Sequence, residues 1–263
     1  MTSTTTWVAV ADLHGHRDHL RALLDHLDAE LGRDYALCTL GDYVDNGEQI
    51  PDLLDDLIAL REERGARFAP ILGNHDLAFL RALGWPGDRP DETWFSRWSA
   101  RYWDPGLGTP AVYARRRGGP VARSAAAFAE RFPPGHPHRV FLEGLPWFHD
   151  TGEHLFVHAG MAPGDLEPQR QALAARTLPE DLVDMPAQLR DKTLSKASDP
   201  GWDRLVVSAH NKRIDGPRFV GPNRICLSGE VDATGVLHAV VLPARRWISV
   251  DRRLQVREDR AAR

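Results

Sequence analysis

The sequence predicts an α/β fold that opens with a βαβαβ unit and continues into a strand-rich half. The two halves are expected to pack as face-to-face sheets with helices outside, in four layers, α/β/β/α. Three observations carry this expectation. Residues 7–11, 35–40 and 67–72 are apolar, strand-like runs, each followed by a polar motif: Asp12-Leu13-His14-Gly15, Gly41-Asp42-Tyr43-Val44-Asp45-Asn46-Gly47 and Gly73-Asn74-His75-Asp76. Between these motifs leucines recur at helical spacing. The second half is built of short apolar runs broken by Gly- and Asp-containing turns.

Taken in order, Leu20, Leu23, Leu24, Leu27 and Leu31 follow the first motif on one helical face, and Leu53, Leu54, Leu57, Ile58 and Leu60 repeat the pattern after the second. Strand, loop motif and helix, twice over, predict parallel strands joined by right-handed crossovers, with their carboxyl-end loops side by side. The third motif runs into a short helical stretch over residues 77–83 that stops at Gly84-Trp85-Pro86-Gly87. Residues 85–135 read as a mostly helical, Trp-rich insertion above the sheet edge. It holds Trp85, Trp94, Trp98 and Trp103 with Tyr102 and Tyr113, then Arg115-Arg116-Arg117-Gly118-Gly119, then an alanine-rich helix over 121–132. Large aromatics dominate small cores, which favours these tryptophans as the insertion's core over a substrate-facing wall. The arginine run reads as a solvated loop, with a phosphate-binding patch as the alternative.

Farther along, runs 146–149 and 154–158 flank Asp150-Thr151-Gly152-Glu153 as an antiparallel hairpin. Residues 205–209, 224–227, 236–242 and 246–250 add strands, with Asp232-Ala233-Thr234-Gly235 as a turn. The charged stretch 252–263 is expected to fray at its end, and residues 1–6 read as a frayed terminus rather than a signal peptide. No low-complexity linker divides the 263 residues, so 1–263 reads as a single domain.

A net charge of −4 provides no overall basic field, so a nucleic-acid partner is not expected. No run approaches the roughly 20 apolar residues that span a membrane. The two cysteines, Cys38 and Cys226, lie in apolar runs and read as buried free thiols, which fits a reducing interior and a cytoplasmic protein.

The chemistry lies in the motifs. Each delivers carboxylate, imidazole or amide oxygen to the carboxyl end of a strand, where open α/β sheets form a ligand crevice. Two further runs do the same: Val157-His158-Ala159-Gly160-Met161 and Val206-Val207-Ser208-Ala209-His210-Asn211. A lone histidine at such a place is ordinarily a hydrogen-bonded structural residue. Five strand-end motifs together point instead to a metal cluster. Carboxylate, imidazole and amide donors without thiolate suit manganese, iron or zinc in a hydrolytic site. Two such ions roughly 3.5–4 Å apart can clamp a phosphate, and they need a shared carboxylate.

These motifs, in this order, resemble the signature blocks of the calcineurin-like metallophosphoesterases, and more closely those of the serine/threonine phosphatases of the phosphoprotein phosphatase superfamily. The resemblance spans roughly residues 7–242 outside the insertion. Ala209-His210 with Asp215-Gly216, and Gly229-Glu230-Val231-Asp232-Ala233-Thr234-Gly235, are similar to the carboxyl-terminal blocks of the eukaryotic-type members. The resemblance implies a metallophosphoesterase-type four-layer α/β/β/α sandwich. It further implies that Asp12, His14 and a bridging Asp42 hold one metal, and that Asp42, Asn74, His158 and His210 hold the second. His75 would be the general acid and Asp45 the partner of its other ring nitrogen. A loop-stabilising carboxylate is the alternative reading of Asp45.

The chain departs from the family at two positions. Asn46 and Leu72 stand where arginines that grip phosphate are usual, and neither replaces a bidentate cation. Arg204, within Ser198-Asp199-Pro200-Gly201-Trp202-Asp203-Arg204, is the first candidate for a replacement, against a plain salt-bridge role; Arg213 and Arg115 to Arg117 follow. The expected function is hydrolysis of a phosphomonoester by a metal-bound hydroxide, with His75 protonating the leaving oxygen. Phosphoserine or phosphothreonine in a protein or peptide is the first-choice substrate, with other small phosphate esters open. The alternatives are a nucleotide or dinucleoside polyphosphate hydrolase, whose base the insertion's tryptophans could stack, and a metal-dependent binding protein without turnover.

Overall fold

Alternation along the first two strands sets the layering. Residues Trp7–Val10 form β1 and Ala36–Thr39 form β2, paired in parallel with Val8 opposite Leu37 and Ala9 opposite Cys38. Helix α1 (Arg17–Leu31) joins them and buries Leu20, Leu23 and Leu27, while α2 (Ile50–Arg64) follows β2 and buries Leu53, Leu54 and Leu57. Val8, Val10 and Leu37 belong to the same apolar cluster as these helix residues. Ala9 and Cys38, pointing the other way, share a second cluster with Phe156, Val207, Ile225, Val240 and Trp247.

The computed structural model describes residues 5–87, 89–102, 106–179, 185–211, 218–219, 223–227, 229 and 231–260. After α2 come α3 (Asn74–Ala82), α4 (Glu92–Tyr102), α5 (Thr109–Arg117), α6 (Ala125–Ala129) and α7 (Pro137–Glu143). The hairpin β3 (Phe148–Asp150) and β4 (His154–Val157) precedes α8 (Leu166–Ala174), α9 (Ala187–Arg190) and β5 (Leu205–Ser208). Then come β6 (Arg218–Phe219), β7 (Arg224–Cys226), α10 (Val231–Thr234), β8 (Leu237–Leu242), β9 (Arg246–Val250) and β10 (Val256–Arg260).

Among the described residues the strands form two five-stranded sheets, ordered β10-β9-β8-β1-β2 and β3-β4-β5-β7-β6. The second apolar cluster draws on both and is the layer between them. Leu155, Val157 and Val206 of the second sheet lie in the helix-side cluster with Leu166, Leu173 and Leu189 of α8 and α9. The result is the expected four-layer α/β/β/α sandwich. Parallel pairing of β1 with β2, and of β4 with β5 and β5 with β7, brings the carboxyl ends of these strands to one side. Among the described residues, no helix is long and apolar enough to cross a membrane.

Several elements differ from expectation. Residues 67–72 run beside β2 without forming a named strand: Ala69 N donates to Leu37 O at 2.8 Å and Ile71 N to Thr39 O at 3.0 Å. Pro70, between them, has no N–H with which to recruit a further strand, so the sheet closes here. Helix α6 is shorter than the stretch 121–132 because the Ser124 hydroxyl accepts Ala127 N–H at 3.2 Å and caps the helix there. Residues 232–235 belong to a single helical turn that ends at Gly235, φ 68°. Within the charged stretch, residues 256–260 form a strand that the sequence did not suggest and pair along β9, with Glu258 bonded to His26 at 2.9 Å and Arg246 at 3.2 Å; the end expected to fray, 261–263, lies outside the described residues. Paired charges suit an exposed edge strand.

In the insertion, Trp94 and Trp98 are buried, and Trp98 packs edge-on against Phe79 and Phe128 with ring centroids 5.9 and 5.4 Å away. Trp103 and the side chain of Tyr102 lie outside the described residues. Arg115 to Arg117 are exposed on the last turn of α5, not in a loop, and Arg116 pairs with Asp52 at 2.6 Å. Cys38 and Cys226 are buried free thiols.

Candidate metal centre

The polar motifs meet where the carboxyl ends of β1, β2, β4 and β5 approach the start of α3. Asp12, His14, Asp42, Asp45, Asn74, His75, His158 and His210 are all buried there. Backbone bonds lock the first two loops together: Leu13 N and His14 N both donate to Asp42 O, at 3.1 and 2.7 Å, and Gly15 N to Tyr43 O at 3.0 Å. The loops turn so sharply that His14, Asp42, Asp45, Asn46 and His210 all adopt positive φ, from 38 to 67°. Such strain persists only where the surroundings over-determine it. Gly47 permits the close approach, since a Cβ there would sit 1.8 Å from His14 O.

Backbone carbonyls fix the tautomers of three histidines. His14 Nδ1 lies 3.0 Å from Val44 O, His158 Nδ1 2.6 Å from Leu40 O, and His210 Nε2 2.9 Å from Arg190 O. A carbonyl only accepts, so each of these nitrogens carries the proton and the other presents a lone pair inward. His158 Nε2 then faces Asp42 Oδ2 at 3.3 Å, Asn74 Oδ1 at 3.0 Å and His210 Nδ1 at 3.1 Å. His14 Nε2 faces the same Asp42 oxygen at 3.8 Å. These converging acceptors need positive charge among them, either a proton drawn onto His158 Nε2 by Asp42 or a metal ion in its place, so this donor set fits a metal.

The electrostatics agree. Burial works against a charged His158, yet the Asp42 carboxylate outweighs it and pushes this imidazole up to about 9. Burial likewise opposes ionised Asp42, but His158, His75 and His14 hold it well below the usual carboxylate range. His210 is driven down to about 3 by burial and by its neighbour His158. The pocket draws positive charge to one place, beside Asp42.

At this centre two groups of side chains could hold an ion, their donor atoms within 4.8 Å of one another: His14, Asp42 and His75, and Asp42, His158 and His210. Asp42 is common to both. Asp12 lies beside these groups rather than within either, its Oδ1 accepting His210 N–H at 3.2 Å and its Oδ2 fitting where Gly229 has no side chain. His75 combines proximity to Asp42 with a bond from Nδ1 to Asp45 Oδ2 at 2.9 Å. Ionised Asp45 only accepts, so Nδ1 donates.

The substrate-binding candidates divide. Asn46 follows Asp45 at the crevice, half-buried and with φ 60°. Arg204 is a correction: it precedes β5 whereas His210 follows it, and an extended chain of that length spans roughly 15–20 Å. Arg204 instead donates to Asp150 at 3.0 Å and pairs with Asp203. Arg213, Asp215, Gly216 and Glu230 lie outside the described residues.

Three contributors escaped sequence reasoning. Asp76, in the third motif, accepts the N–H groups of Asp42, Tyr43 and Gly73 at 2.8, 2.9 and 3.0 Å, tying the second loop to α3. Burial and the Asp42 charge push its carboxyl up to about 7. Its place at the third residue of a helix, where a carboxylate reaches back to cap, was a usable signal. Trp98 and Thr109 bond to Asp45 from α4 and α5, and nothing in local sequence foretells those contacts. Asp76→Ala would leave three buried amides unsatisfied, and at about 1–3 kcal/mol each the loss should reach at least about 3 kcal/mol. A denaturant midpoint of the metal-free variant equal to that of the parent protein would show that Asp76 anchors nothing.

The sequence model of the family described as calcineurin-like phosphoesterase matches residues 6–211. No curated protein sequence matches the chain. Solved structures share the fold at low identity. One described as a "putative diadenosine tetraphosphatase" is 21% identical, with TM-score 0.59 over 95% of this chain and 94% of that one. A cold-active protein-tyrosine phosphatase from a psychrophilic Shewanella is 15% identical, TM-score 0.57, over 97% and 80%. A protein serine/threonine phosphatase from Saccharomyces cerevisiae is 15% identical, TM-score 0.56, over 100% and 82%. At such identities these neighbours establish architecture. The family match supplies the chemistry that the buried His and Asp groups can serve: the chain belongs to the calcineurin-like phosphoesterases and is a metal-dependent phosphoester hydrolase.

Proposed function

We propose that the chain is a dimetal phosphomonoesterase acting first on phosphoserine and phosphothreonine in proteins or peptides. The observation that carries the reading is Asp42, shared by two potential ligand groups, with the His75–Asp45 pair directly beside it. Asp12, His14 and Asp42 would hold one ion, and Asp42, Asn74, His158 and His210 the other. Manganese suits these oxygen and nitrogen donors, as do iron and zinc. Two bound ions supply positive charge against the phosphate oxygens and lower the pKa of water.

The chain's own residues do the rest. Asp45 holds the proton on His75 Nδ1, so that Nε2 is the atom that would carry a second proton to the leaving oxygen. Once that proton has left, His75 returns to the neutral tautomer already fixed by Asp45. Asn46, at the mouth of the second loop, offers the phosphate neutral hydrogen bonds in place of a guanidinium. The Ala209-His210 block and the block around Gly229 and Val231 support a protein-phosphatase substrate. Trp94 and Trp98 are buried in the insertion's core, which removes them as a stacking surface for a nucleotide base.

The substrate is tested with metal-reconstituted protein, a phosphoserine peptide, a phosphothreonine peptide and diadenosine tetraphosphate. Higher kcat/KM on the peptides is expected. The reverse order would assign a polyphosphate hydrolase, and metal binding without turnover of any substrate a binding protein. Chelation should abolish activity and manganese restore it, while Asp42→Asn should weaken metal binding more than any other ligand change, read by calorimetric titration. Activity that survives complete metal removal would end the dimetal reading. His75→Ala should lose at least ~10²-fold in kcat on phenyl phosphate and less on p-nitrophenyl phosphate, whose leaving group scarcely needs a proton. Equal losses on both would make His75 a metal or water ligand instead.

A further inference from the structure

Asp45 is held from the insertion as tightly as it holds His75. A carboxylate offers about four lone-pair sites, and four donors reach this one. His75 Nδ1 and Trp98 Nε1 lie 2.9 and 2.6 Å from Oδ2, and the Thr109 hydroxyl and backbone nitrogen lie 2.6 and 3.1 Å from Oδ1. The Thr109 hydroxyl also accepts the Asp45 N–H at 3.1 Å, clamping a residue whose φ is 64°. Asp45, Trp98 and Thr109 are all completely buried, so water does not compete for these bonds. Trp98 sits on α4 and Thr109 opens α5, and both are far in sequence from the strand-end motifs.

We propose that Trp98 and Thr109 are positioning residues for His75: acting through Asp45, they fix the imidazole that delivers the proton, so the insertion is part of the catalytic apparatus and not only a cover. The inference rests on the reading of His75 as proton donor. Trp98 is well placed for this, because its ring is immobilised by Phe79 and Phe128 while its N–H points out of that cluster at Asp45. With all its lone pairs engaged, Asp45 is also kept from turning toward the ligand groups around Asp42.

The test uses metal-reconstituted protein and phenyl phosphate. Trp98→Phe keeps the apolar ring and deletes the N–H; Thr109→Val deletes the hydroxyl. Each should lower kcat about tenfold or more with KM little changed, the size of a lost hydrogen bond to a charged group. Thr109→Ser should recover most of the Thr109→Val loss. In a His75→Ala background Trp98→Phe and Thr109→Val should have no further effect, since they act through the missing ring. Losses that persist undiminished in that background would overturn the proposal. His75→Ala alone, compared on phenyl and p-nitrophenyl phosphate, judges the proton-donor reading separately, because the coupling of Trp98 to His75 can be measured whichever way that comparison falls. Should a variant not fold, the indole N–H resonance of Trp98 in Asp45→Asn serves instead. It should move strongly upfield from its position in the parent protein, and an unmoved resonance would overturn the proposal.

Discussion

The structure turns on a buried negative charge, Asp42, that histidines surround on two sides. Asp42 sits between His14 and His158 at 3.8 and 3.3 Å, and each histidine is forced by a backbone carbonyl to present a lone pair. A buried carboxylate is costly unless positive charge accompanies it, and here that charge is a proton on His158 or a metal ion in its place. The protein therefore stores metal affinity in its own backbone: the carbonyls of Leu40, Val44 and Arg190 decide the tautomers, and strand and loop geometry decides the carbonyls.

Much of this was legible in the sequence because parallel strands report their own function. A run of apolar residues that ends in Asp-x-His or Gly-Asn-His places those side chains at the carboxyl edge, whatever the rest of the chain does. The same reasoning located β1, β2, the β3–β4 hairpin and β5, and the helices that follow the first two motifs. It failed for β10, whose charged residues look like a tail until Glu258 is paired with His26 and Arg246 across sequence. The stretch 67–72 read as a strand because its hydrophobicity is that of one, while Pro70 limits what it can pair with.

Around the centre, legibility followed the same divide. The residues expected at strand ends are brought together in the structure; those that reach the centre by tertiary approach were not foreseen. Arg204 was drawn in by the local segment around it, yet β5 carries it to the opposite edge, where Asp150 takes its charge. Trp98 read as core, which it is, but burial says nothing of where an indole N–H points. Asp76 was visible as a letter of the third motif and silent as a cap, because its partners, the amides of Asp42 and Tyr43, become neighbours only after the sheet forms.

Positive φ at Asp42, Asp45 and Asn46 shows why the second loop needs so many anchors. Three residues within five positions sit in a region that costs side-chain-bearing residues of order 1–3 kcal/mol each, a sizeable fraction of a domain's net stability. The compensating bonds come from both directions: Asp76 grips the loop's amides from α3, and Thr109 grips Asp45 from α5. Asp42 and Asp45 thus have opposite surroundings although only two residues separate them. Asp42 accepts one N–H, from His75 at 2.8 Å, and its other oxygen faces the imidazoles of His14 and His158, whereas Asp45 faces N–H and O–H donors on both oxygens. Donors on every lone pair leave a carboxylate no vacant direction for a metal, so hydrogen bonding, rather than distance, ties Asp45 to His75 and leaves Asp42 as the aspartate that could hold an ion.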